Sequence, residues 1–179
     1  SYSLNDLYPY AFSPSITIPF LSGNVNGNFS PDNANTMCEL IGGVYPTGTP
    51  GPMALDSSNG ILYVIDADQR IRKITLATQS AITIIGLTVG TYLTNPKGIA
   101  FDSSRNCLYV SSPTQIQKID LSVTPCTSTV MFSDGDEFGY AGIVIDPTNT
   151  YLYVANNTKR GTSTITRITL GTSPTLTRL

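Results

Sequence analysis

Residues 99–110 read IAFDSSRNCLYV. The same phrase stands earlier as MALDSSNGILYV, residues 53–64, and later as IVIDPTNTYLYV, residues 143–154. The copies align without gaps, so Asp56, Asp102 and Asp146 share a column, and so do Tyr63, Tyr109 and Tyr153. Downstream come IRKITL (71–76), IQKIDL (116–121) and ITRITL (165–170), which share the pattern I-x-[KR]-I-x-L. A further β-like run follows each: AITIIG (81–86), STVMFS (128–133) and PTLTRL (174–179).

Each repeat therefore offers four short strands. Val, Ile, Thr and Tyr dominate them, as residues that suit a pleated, half-buried surface do. Twelve prolines and fifteen glycines are spread along the chain, and no long 3.6-residue hydrophobic period is visible. The DSSNG, DSSRN and DPTNT segments are predicted turns, because an Asp side chain can accept bonds from backbone N–H groups two residues on. Four short strands about every 45 residues predict an all-β fold built of propeller-type blades of four antiparallel strands.

The stretches PKGIAFDSSRNCLYVSSPTQIQKIDL (96–121) and GPMALDSSNGILYVIDADQRIRKITL (51–76) resemble the NHL-repeat family. The resemblance covers residues 13–179. The third repeat departs from it in lacking the Pro before AGIVID and in a longer NNTKRGTSTIT turn, and the first carries the insertion IGGVYPTGTPGP. The expected organisation is blade 1 at 51–90, blade 2 at 91–137 and blade 3 at 138–179. SPSITIPFLSG (13–23) is similar to the fourth-strand run QSAITIIGLTVG (79–90), so residues 13–50 are expected to hold an orphan strand and an inter-blade loop. Residues 1–12 carry Leu4, Leu7, Tyr8, Tyr10 and Phe12, an apolar segment expected to pack or to serve assembly.

Three blades and one strand do not close a ring of the four to eight blades that propellers use. The resemblance implies six. Completion is expected from further blades of a longer polypeptide, from another chain, or from self-association in which the orphan strand is donated to a neighbour. A chain that opens on Ser1 is expected to be processed or to be part of something longer.

Composition narrows the function. The 179 residues are 40% hydrophobic and 12% charged, with a net charge of −2, and contain no histidine and no tryptophan. A nucleic-acid binder neutralises phosphates with clustered basic residues. Here the densest cluster is Arg70, Arg72 and Lys73, read as solvent-facing positions of an amphipathic strand. No apolar run has the length of a membrane-spanning helix. Without histidine the chain lacks the usual general base and the commonest metal ligand.

The repeated Asp56, Asp102 and Asp146 are read as turn residues, since a catalytic group is needed once and a turn each time. Tyr63, Tyr109 and Tyr153 are expected to pack between blades rather than to form a stacking platform. SDGDEFG (133–139) gathers Asp134, Asp136 and Glu137, carboxylates spaced as a calcium site can be, though without the full EF-hand pattern. The resemblance implies an acidic inter-blade loop there instead. Asn28 and Asn156 satisfy N-x-[ST] in predicted loops and are the candidate glycosylation sites. Cys107 and Cys126 are expected near one edge of blade 2, where a disulfide forms if the SVTPC loop bends inward. Cys38 is left without a partner in this stretch.

The function expected is non-catalytic: an extracellular structural or interaction protein whose propeller segment mediates protein–protein contacts, with self-association and attached N-glycans, and no cofactor. The alternative is a fragment of a larger lyase- or lactonase-like propeller enzyme holding calcium through carboxylates. An RNA-binding NHL module is a third reading, and it lacks the basic surface such binding needs.

Overall fold

The computed structural model describes residues 51–66, 69–78, 80–86, 93–133, 138–158 and 163–179. Residues 1–50, with Asn28 and Cys38, lie outside the described residues, and so do Asp134, Asp136 and Glu137. The described residues form twelve strands and no helix. β1 (Met53–Asp56), β2 (Ile61–Ile65), β3 (Ile71–Thr75) and β4 (Ser80–Ile85) make the first sheet. β5 (Gly98–Asp102), β6 (Cys107–Ser111), β7 (Gln115–Asp120) and β8 (Thr127–Ser133) make the second. β9 (Phe138–Ile145), β10 (Tyr151–Thr158), β11 (Ser163–Thr169) and β12 (Thr175–Arg178) make the third. Every sheet is a four-stranded antiparallel meander in chain order, which is the blade that the repeat predicts.

The repeated aspartates hold the first turn of each blade. Asp56 Oδ1 accepts from the N–H of Ser58 at 3.1 Å and of Asn59 at 3.2 Å. Asp102 Oδ1 repeats this with Ser104 and Arg105, both at 3.0 Å. Asp146 accepts from the N–H of Thr148 at 3.1 Å, Thr150 at 2.7 Å and Tyr151 at 2.6 Å. Each turn also needs one residue in the left-handed region. Gly60 (φ 61°) and Asn106 (φ 45°) supply it at the same position, and Asn149 (φ 54°) supplies it one residue earlier. Gly and Asn tolerate that conformation best.

Paired registers sort the side chains into two faces per blade. One face of blade 1, with Tyr63, Ile65, Ile71 and Ile85, packs on Ile99, Leu108, Val110 and Ile119 of blade 2. Tyr63 and Phe101 stack across this junction with ring centroids 5.6 Å apart. The opposite face of blade 2 offers Ala100, Cys107, Tyr109 and Ile116 to Ile143, Leu152, Val154 and Ile168 of blade 3. Two of the three core clusters are thus inter-blade layers built by one rule, and the third, Val64, Ile74 and Ala81, lies on the other face of blade 1. Gly98 lets the second layer close, since a Cβ there would lie 2.8 Å from the backbone nitrogen of Ile143.

Leu108 is fully buried in the first layer, whereas Val130, on the outer strand β8, is 49% exposed. Leu108→Ala is expected to lower unfolding stability by roughly 2–5 kcal/mol. Val130→Ala is expected to stay within about 0.5 kcal/mol. Urea denaturation followed by circular dichroism reads both. Equal midpoints for the two variants would contradict the layered core.

Candidate functional site

The tyrosine of LYV and the basic residue of I-x-[KR]-I-x-L are directly opposite each other on neighbouring strands. Tyr63 faces Lys73, Tyr109 faces Lys118 and Tyr153 faces Arg167. They share a face with the turn aspartate of their blade. In blade 2 the Tyr109 hydroxyl donates to Asp102 Oδ2 at 3.3 Å. Burial pushes the Tyr63 phenol up to about 12, with a further push from the Asp56 carboxylate. Burial likewise raises Tyr109, so both rings stay neutral and pack as apolar bodies with a polar tip.

Polar clips reinforce the junction between blades 2 and 3. Arg105 Nη1 donates to Asp102 Oδ2 at 2.8 Å and to the Asn149 carbonyl at 2.7 Å. Asn149 Nδ2 returns a bond to Ser103 Oγ at 3.1 Å. Burial alone would raise the Asp102 carboxyl, yet the bonds from Ser104 and Arg105 outweigh it and hold the group below its ordinary range. In blade 3, the Thr148 hydroxyl and then the Tyr151 N–H hold Asp146 down at about 2.

Blade 3 turns the equivalent face away from blade 2. Tyr63 and Tyr109 are buried under the following blade, whereas Tyr153 is only half-buried. Val144, directly opposite Tyr153, is 61% exposed and Ile165 is 46% exposed. Tyr151 lies beside Tyr153, with centroids 6.4 Å apart, and the Arg167 guanidinium sits 5.0 Å above the Tyr151 ring. This open face of Val144, Tyr151, Tyr153, Ile165 and Arg167 is the candidate site. The repeat pointed to Tyr153, but Tyr151 went unremarked. Its signal was a third-repeat tyrosine in the column that holds Ile61 and Cys107.

Three readings of the sequence are corrected. Asn156 is in β10 rather than in a loop, because the β10–β11 hairpin pairs as far as Asn157 with Ser163. It is 3% exposed and its Nδ2, the atom a glycan would take, donates to Thr166 Oγ1 at 2.5 Å. The folded strand leaves no room for a glycan there. Cys107 and Cys126 are free thiols. Cys107 pairs with Asp120 and Asp120 with Thr127, so Cys126, one residue before Thr127, belongs to the opposite face. Two strands also separate the cysteines by about 9–10 Å, beyond the reach of a disulfide. Cys107 packs toward blade 3 and Cys126 toward blade 1.

Arg70 and Arg72, expected in solvent, are 3% and 0% exposed. Arg70 grips the Asp66 carboxylate through Nε at 2.9 Å and Nη2 at 2.5 Å, and Arg72 donates to Thr83 Oγ1. Asp66 gives Arg70 a counter-charge, and Thr83 gives Arg72 a neutral acceptor.

No protein-family model matches the chain, and no curated protein matches it. Solved structures do. A chain of a nidogen/laminin complex superposes with a TM-score of 0.57 at 24% identity, over 72% of this chain and 48% of that one. Dihydro-heme d1 dehydrogenase NirN, solved in complex with DHE, superposes with a TM-score of 0.51 at 11% identity, over 73% of this chain and 27% of NirN. This chain thus spans about half of the first and about a quarter of the second. Together with the three meander sheets, these likenesses establish a β-propeller-type fold.

A carboxylate whose folded pKa is depressed stabilises the fold above its ordinary pKa and ceases to as pH falls through the folded value. For Asp146 that window runs from 3.8 down to about 2. The melting temperature is expected to fall across it, and Asp146→Ala to lower the neutral-pH value and flatten the fall. A variant with the wild-type pH profile would count against the turn role. Peptide mapping after alkylation of the unfolded chain without reductant is expected to find both Cys107 and Cys126 alkylated. A Cys107–Cys126 crosslinked peptide would overturn the assigned strand parity.

Proposed function

We propose that this chain is a non-catalytic extracellular interaction protein, an NHL-like propeller segment whose open face on blade 3 binds a second copy of itself. One observation carries the reading. The tyrosine and basic pair that the next blade covers twice within the chain recurs on blade 3 beside exposed Val144 and Ile165. A face that continues an established kind of junction is suited to another blade, and exposed sheet surface otherwise invites unspecific association. The 13–23 run, with the sequence character of a fourth strand, is the segment proposed to be donated between copies. The nidogen/laminin structure is itself a complex of two proteins, which supports an interaction role by analogy of fold. Asn28 remains the proposed glycan acceptor.

Light scattering of the purified chain over a concentration series tests this. The wild type is expected to exceed monomer mass in a concentration-dependent way. Val144→Asp, placed where the side chain is exposed, is expected to shift it toward monomer without changing the circular dichroism spectrum. A wild type that stays monomeric throughout would refute the proposal.

A further inference from the structure

The junction between blades 1 and 2 follows the same rule as its neighbour but is lined with smaller groups. Blade 2 presents Met131 and Phe132 at the outer end of its face, and both pack against the core. Blade 1 has Ile84 and Ile85 in those places. Arg105 spans from the turn of blade 2 to blade 3, whereas blade 1 has Asn59 there, which bonds back to its own Asp56 at 2.8 Å. A cavity of about 600 Å³ opens at this position. Its volume is within the range of small-molecule sites.

The chemistry of the lining is divided. Ile61, Ile84 and Leu121 give an apolar floor, and Lys73, Asn106 and Cys126 give the polar part. Among the described residues Lys73 has no hydrogen-bond or ion-pair partner. Asp56 also lines the cavity, but both of its oxygens are committed to the turn. Lys73 thus presents an ammonium in no ion pair beside aliphatic walls, a combination that suits an anion with an apolar body, because ion pairs strengthen as water is excluded.

We infer that this cavity binds a small amphipathic carboxylate, its hydrocarbon part on Ile61, Ile84 and Leu121 and its carboxylate on Lys73. Asn106 lies at the same rim and offers an amide donor. The site is separate from the open face of blade 3, so the inference stands whether or not the chain self-associates.

Octanoate, with octanol as the uncharged probe of equal length, tests it on the full chain. Iodoacetamide labelling of Cys126, read by peptide mass spectrometry, reports occupancy because that thiol lines the cavity. Cys107, fully buried elsewhere, is the internal control. Octanoate is expected to slow Cys126 labelling saturably, and octanol to need at least about tenfold more, a difference of about 1.4 kcal/mol. Lys73→Met should erase the difference between the probes, and Ile84→Phe should block both. Equal protection by the two probes, no saturable protection by octanoate, or an octanoate preference that survives Lys73→Met would each overturn the inference. Calorimetric titration of wild type with octanoate gives an independent readout if either variant fails to fold.

Discussion

The burial of one blade's tyrosine-bearing face beneath the aliphatic face of the next is the contact on which the rest of the structure depends. A four-stranded meander has two faces and no interior of its own. Tyr63 and Ile71 become core only because Leu108 and Ile119 arrive from the next repeat, and Tyr109 and Ile116 only because Leu152 and Ile168 do. Each buried aliphatic side chain contributes about 1.5–3 kcal/mol relative to exposure. Those contributions are made between repeats, so no blade holds them alone. The turn aspartates serve the same end, since they fix where each pair of strands begins and hence which side chains meet across the junction.

Much of this was legible in the sequence because the repeat is itself a record of the junction. The strands of all three blades fall where the aligned phrases place them, and Tyr63 and Tyr109 pack between blades as a shared register demands. What escaped has local causes. The β10–β11 hairpin outgrew its equivalents, so a sequon that looked like loop became paired strand at Asn156. Cys107 and Cys126 looked adjacent along the edge of a blade, but strand parity puts them in different layers. Arg70 and Arg72 looked like solvated charges, because their partners Asp66 and Thr83 are ordinary residues until the β3 region folds around them.

The same repetition makes departures from it meaningful. Arg105 clips two blades together where Asn59 only closes its own turn, and Met131 and Phe132 fill what Ile84 and Ile85 leave open. Tyr151 replaces the small or aliphatic residue of the other repeats and gives Arg167 a ring to lie on. None of these differences disturbs the backbone rule, so the scaffold can carry different surfaces at each junction while the blades remain alike.

One irregularity is shared by blades 1 and 2. The ladder slips between Ile71 and Arg72 and again between Ile116 and Gln117, so that Ile84 and Met131 are extra residues on the outer strand. Strict alternation would put Ile85 and Phe132 on the opposite face of their blades. The slip brings them back, and two consecutive apolar side chains then reach the inter-blade layer. The outer strand thus works as a phase shifter. A one-residue deletion upstream of the slip would not merely shorten it but would exchange the two faces of everything between the deletion and the slip, whereas removing the extra residue itself would exchange only the tip.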